Sequence, residues 1–136
     1  MQSVLDDTRT SKATLWTGRV IGGVAVLFLA VDSLVKVLKL APAVEATTQL
    51  GYADSVVLPL GILQLACLIV YLIPRTSILG AILLTGYLGG AIATHVRVDS
   101  PLFTHVLFPV YVAVLLWGGL FLIDGRLRVL AQPRSS

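Results

Sequence analysis

The chain has 136 residues, 57% of them hydrophobic and 12% charged, with a formal net charge of +3. Soluble domains carry roughly 25% charged residues, so this chain holds about half the usual solvating charge, and its mean hydropathy is +0.93. Its few, dispersed positive charges exclude a nucleic-acid-binding stripe, and its single cysteine, Cys67, excludes a disulfide within the chain.

Residues 1–16 read as a polar cytoplasmic tail, disordered at its start. Four apolar runs follow, Val20–Leu38, Val56–Ile73, Ile78–Thr94 and Leu102–Ile123. Each spans about 17 to 22 residues, the length that carries a helix across a bilayer. The first run follows Arg9, Lys12 and Arg19 as a secretory signal would, but it outruns a signal core and is read as a span. Cys67, inside the second run, reads as a small buried hydrophobe.

Between the first two runs, "LAPAVEATTQLGYADS" (40–55) is the one substantial connection. Pro42 suits a first helical position and Gly51 the residue after a helix end, which predicts a short interfacial helix of about two turns carrying Glu45. "YLIPRTS" (71–77) permits a sharp turn, with Pro74 ending the second helix and Thr76 or Ser77 capping the third. In the third run, Gly86 and Gly90 stand four apart beside a row of Ala81, Thr85, Gly89 and Ala93. Small residues at that spacing allow close helix packing in lipid, which predicts a central place for this helix, with a homodimer face as the second reading. Asp99 or Ser100 is expected to cap the fourth helix, with Pro101 in its first turn and a bend at Pro109. "QPRSS" reads as a frayed tail. The expected organisation is a tail (1–16), a four-span domain (17–127) and a second cytoplasmic tail (128–136).

Loop charges set orientation. Arg9, Lys12, Arg19, Arg75, Arg126, Arg128 and Arg134 fall on one side, against Lys36, Lys39 and Arg97 on the other. Both termini are therefore expected in the cytoplasm, and the loop "ATHVRVDSPLFTHVLFP" (93–109), with both histidines, on the outer side.

That topology brings the scarce ionisable groups toward the outer end. Asp32 and Lys36, four apart, occupy one helix face in the favourable order for an ion pair; Asp32 lies about 18 Å along its helix from Val20. An acid within a span faces the protein interior and marks a functional site or a clamp. Gln64 descends about 12 Å into the second helix, as an interhelical hydrogen bond or a ligand donor. His95, Arg97 and His105 complete the set with Glu45. Asp32, His95 and His105 are the candidate proton carriers, because histidine changes charge near neutrality and a carboxylate tunes it. Lys36, Glu45, Gln64 and Arg97 are the candidate ligand-binding groups. Two histidines ten apart do not match zinc-ligand spacing, so no metal is assigned; axial ligation of haem is disfavoured, and "GYLGGA" reads as packing rather than a nucleotide fingerprint.

The run "IPRTSILGAILLTGYLGGAIATHVR" (73–97), with "VDSLVKVLKLAPAVEATTQLGY" (31–52) and "SPLFTHVLFPVYVAVLLWGGL" (100–120), resembles the DoxX-like family of small bacterial membrane proteins. The resemblance extends from Arg19 to Leu127. It implies an all-α, integral-membrane four-helix bundle in the bacterial inner membrane, and family-motif positions at Asp32, Lys36, Glu45, Gly86, Gly90, His95, Arg97, His105 and Pro109. It also implies an association with quinone-linked redox systems, while more distant relatives resemble sterol isomerases and assembly chaperones. The expected function is an outward-facing polar pocket for a hydrophobic small molecule, a quinone or lipid-like compound, in a subunit of a membrane redox system. The alternatives are an isomerase-like binder of a lipophilic metabolite and a non-catalytic accessory protein. The bilayer, a small molecule, and a membrane-protein partner or second copy are the expected partners, with no nucleic acid. Cofactors stay open, quinone being the one with an argument.

Overall fold

The computed structural model describes residues 11–132, and no strand occurs among them. In chain order the helices are α1 (Lys12–Val37), α2 (Ala41–Gln49), α3 (Val57–Leu72), α4 (Ser77–Arg97), α5 (Phe108–Ile123) and α6 (Gly125–Ala131). Single turns precede three of them: a 3₁₀ turn at Asp54–Val56, another at Pro74–Thr76 and a π turn at Leu102–Val106. Including these turns, four helical segments are long and apolar enough to cross a membrane. Helices suit that setting because each satisfies its own backbone hydrogen bonds where no water can.

The four long helices close into a ring. Helix α1 packs against α3 and α5, and α4 packs against the same two from the opposite side. Leu29 of α1, Leu68 of α3, Leu84 of α4 and Leu116 of α5 meet in the middle, each at most 2% exposed. Outward-facing Leu27, Ile62, Ile82 and Val114 stay exposed, as a surface solvated by acyl chains requires. Cys67 is buried, as expected.

Glycine sets the closest approaches, though not where the small-residue rows predicted. A Cβ on Gly80 would lie 2.2 Å from the Tyr71 amide nitrogen, and one on Gly119 would lie 2.7 Å from that of Gly22. By contrast, a Cβ on Gly86, Gly89 or Gly90 would meet nothing within 4 Å. Thr85 and Ala93 are exposed beside them. The expected central position of this helix is therefore corrected: α4 is one of four ring members, its inward face is built from Ala81, Leu84 and Leu88, and most of its small residues point outward.

Three helices end in the same manner at the end of the bundle that holds both histidines. Lys39 (φ 49°), Gly51 (φ 90°) and Asp99 (φ 57°) adopt the left-handed conformation just past α1, α2 and α4. In each case the next amide returns to a carbonyl five residues back: Leu40 to Val35, Tyr52 to Thr47 and Ser100 to His95. This is the Schellman reversal. Helix α2 and its Pro42–Gly51 bounds match expectation.

Two capping expectations are corrected. Asp99 closes α4 instead of opening the next helix, and the turn after Pro101 has no side-chain cap. Helix α5 begins at Phe108, because Pro109 has no amide to give the His105 carbonyl and the chain widens into the π turn before it. At the other end Thr76 and Ser77 turn their hydroxyls back to carbonyls of the α3 end, Val70 and Ile73, leaving the α4 amides uncapped by side chains.

Helix α6 was not foreseen from sequence. Asp124 caps it through the Arg126 amide at 2.9 Å. Helix α1 likewise starts at Lys12, within the stretch read as tail. The predicted disorder at the start of the chain and the fraying after Gln132 lie outside the described residues.

Candidate functional site

The expected site residues divide into two groups, and the first centres on Lys36. Its ammonium donates to Asp32 Oδ2 at 2.5 Å, Gln64 Oε1 at 2.9 Å and Tyr87 Oη at 3.1 Å. One side chain from α1 is thus tied to α3 and to α4, its diagonal neighbour across the ring. All three ammonium protons are used. Lys36 is 16% exposed, Asp32 32%, and Gln64 fully buried with its amide reaching the Leu29 carbonyl at 3.4 Å. The close fit of Gly61 against Lys36 and Val37 places this node where α1 and α3 nearly touch. No buried side-chain polar atom lacks a partner among the described residues.

The second group is the histidine pair. His95, near the end of α4, and His105, in the π turn, stand with ring centroids 5.7 Å apart in an edge-on arrangement. The α4 reversal returns Ser100 to His95, whose Nδ1 lies 3.0 Å from the serine Oγ. His105 Nδ1 pairs with Thr104 Oγ1 at 2.8 Å. Each ring therefore has a hydroxyl partner on Nδ1, and neither Nε2 is engaged within the described residues. No hydrogen bond, ion pair or ring contact joins this pair to the Lys36 node.

A cleft of about 340 Å³ runs between α4 and α5, lined by Thr85, Leu88, Gly89, Ile92, Pro109, Val110, Ala113, Val114 and Trp117. Ile92 lies one turn before His95 and Pro109 one turn after His105, so the pair lies one turn beyond that end of the cleft. The open sides of Gly89 and its neighbours help to make the space. Trp117 Nε1 donates to Thr85 Oγ1 at 2.7 Å at the end away from the histidines. The cleft is apolar along its length, and neither imidazole is among the side chains that line it.

Two expected members stand apart. Glu45 is exposed on α2 and joins neither group. Arg97 donates to the Leu50 carbonyl at 3.4 Å, while Tyr52 and Thr94 share a hydrogen bond of 2.8 Å; together these hold the α2 end against α4. Sequence reading missed Tyr87, Ser100, Thr104 and Trp117. A tyrosine inside an apolar span requires a partner for its hydroxyl, and that was the available signal for Tyr87. Among the described residues no group of three or more His, Cys, Asp or Glu side chains is arranged to hold a metal ion.

A family model described as the DoxX-like family matches residues 20–119. The chain belongs to the DoxX-like family. Comparison with curated proteins and with solved structures returns no match. The matched span of this DoxX-like protein takes in both polar groups, the cleft, the whole of α3 and α4 and most of α1 and α5. Length, composition and family together make it a small multi-pass membrane protein.

Proposed function

We propose that this DoxX-like protein binds a hydrophobic, carbonyl-bearing small molecule, a quinone or lipid-like compound, in the cleft between α4 and α5. The observation that carries the reading is the histidine pair one turn beyond the end of an apolar cleft, each ring with a hydroxyl at Nδ1 and its Nε2 unengaged within the described residues. An imidazole whose Nδ1 accepts from a hydroxyl carries its proton on Nε2 and can donate it in a hydrogen bond to a carbonyl. A volume of about 340 Å³ falls within the range of small-molecule sites, holding a ring and the first part of a tail while the remainder lies in lipid. Here His95 and His105 meet the polar head, and Asp32, Lys36 and Gln64 hold α1, α3 and α4 in register around it. Electrons for a quinone would come from a partner subunit, which makes the protein one component of a redox system. The loop charges set both termini in the bacterial cytoplasm and the histidines on the outer side.

Trp117, inside the cleft, provides the assay. In a Trp16→Phe background, a short-chain quinone is expected to quench Trp117 fluorescence saturably. His95→Ala and His105→Ala should each weaken binding by about tenfold, the equivalent of one hydrogen bond. Gly89→Leu should abolish it by filling the cleft. Quenching that does not saturate, or that all three variants share with the parent, would overturn the proposal.

A further inference from the structure

A second cleft, of about 690 Å³, lies at the opposite end and belongs to neither polar group. Helices α1 and α3 nearly touch at Gly61 near their outer ends; toward the inner end a cleft opens beside them, floored by Gly22, Gly23, Val26 and Tyr71. Tyr71 spends its hydroxyl on the Leu116 carbonyl at 3.1 Å, which leaves the floor apolar. Arg19, Arg75, Arg126 and Asp124 form the mouth, three guanidiniums against one carboxylate.

These arginines differ in what they already hold. Arg126 is committed: it pairs with Asp124 Oδ2 at 2.7 Å and donates to the carbonyls of Pro74 at 2.6 Å and Arg75 at 3.3 Å. Those bonds pin the Pro74–Arg75 turn to the corner between α5 and α6. The Arg75 guanidinium itself makes no hydrogen bond or ion pair within the described residues. Within the described residues Arg19 has only the Trp16 ring, 5.9 Å away. Two cations with unspent donors thus stand over an apolar cleft at the end of a membrane-spanning bundle. Guanidinium groups match phosphate oxygens in charge and in fork geometry.

We propose that this cleft is a binding site for an anionic phospholipid, with its phosphate on Arg19 and Arg75 and an acyl chain along Gly22 and Gly23. The inference is independent of the histidine cleft, which lies between other helices and near the other end. Its test is native mass spectrometry of the full chain in a neutral detergent. Phosphatidylglycerol, phosphatidylcholine of the same acyl chains, and inorganic phosphate would be titrated separately. Phosphatidylglycerol is expected to bind in preference to phosphatidylcholine, and Arg19→Gln and Arg75→Gln should each weaken it by about fivefold. Gly23→Leu should remove it while leaving the fold intact, because a Cβ there meets nothing within 4 Å and leucine favours a helix over glycine. Equal binding of the two lipids, or unchanged binding in the arginine variants or in Gly23→Leu, would overturn the site. Inorganic phosphate competing as well as the lipid would overturn the lipid as its occupant. Trp117 quenching by quinone in the same variants tells the two sites apart.

Discussion

Lys36 shows how a charged residue is accommodated inside a membrane bundle. An ammonium at that depth is costly alone; here a carboxylate, an amide oxygen and a phenol oxygen accept its three protons. Lys36→Met leaves Asp32 without its counterion inside the span, and should lower stability by about 3 kcal/mol. Tyr87→Phe removes one acceptor and should cost about 0.6 kcal/mol, the usual worth of an interhelical bond in lipid. Unfolding in a graded detergent mixture measures both, and equal losses would contradict the central role given to Lys36. Asp32 and Lys36 were legible as a pair from their spacing, because four residues along a helix return to one face. Tyr87 was not, since its partner comes from a residue 51 positions away in sequence, a contact no local pattern encodes.

Among the elements, the four long helices were readable from run length alone, and α2 from Pro42 and Gly51. The facing of α4 was not. Spacing of small residues reports that two backbones can approach, not which neighbour does so, and the close approaches fell to Gly80 against Tyr71 and to Gly119 against Gly22. Gly80→Ala should therefore cost about 1–3 kcal/mol or more, as overpacking against rigid backbone does. Gly86→Ala should be neutral or stabilising by up to about 1 kcal/mol, and thermal unfolding of the two variants in one detergent decides. Helix α6 escaped notice because it is short and its signal is a single cap. Arg126, by hydrogen bonding to its side chain, holds the Asp124 carboxyl below the usual carboxylate range. A carboxyl so depressed contributes stability at neutral pH and loses it as the pH falls through its folded value, below the unfolded value of about 4. Amide exchange in α6, corrected for the intrinsic rate, should stay constant from about pH 8 to 5 and rise only in stronger acid. Asp124→Asn should remove that dependence, and a rise near neutrality would place the cause elsewhere.

For the whole molecule, topology alone brought the titratable groups to one end, but it did not make them one site. Helices α1, α3 and α4 share the Lys36 node, whereas α4 and the π turn before α5 share the histidine pair. The division follows from the ring, in which α1 and α4 are diagonal and the Lys36 side chain reaches across to Tyr87. The most direct measurement of the proposed function is photolabelling with a quinone that carries a light-activated group, followed by peptide mapping. Adducts are expected on Ile92 and across Pro109–Val114, reduced in His95→Ala and competed by unlabelled quinone. Adducts spread over the outward faces of all four long helices, unaffected by competitor, would contradict a bound molecule beneath the two imidazoles.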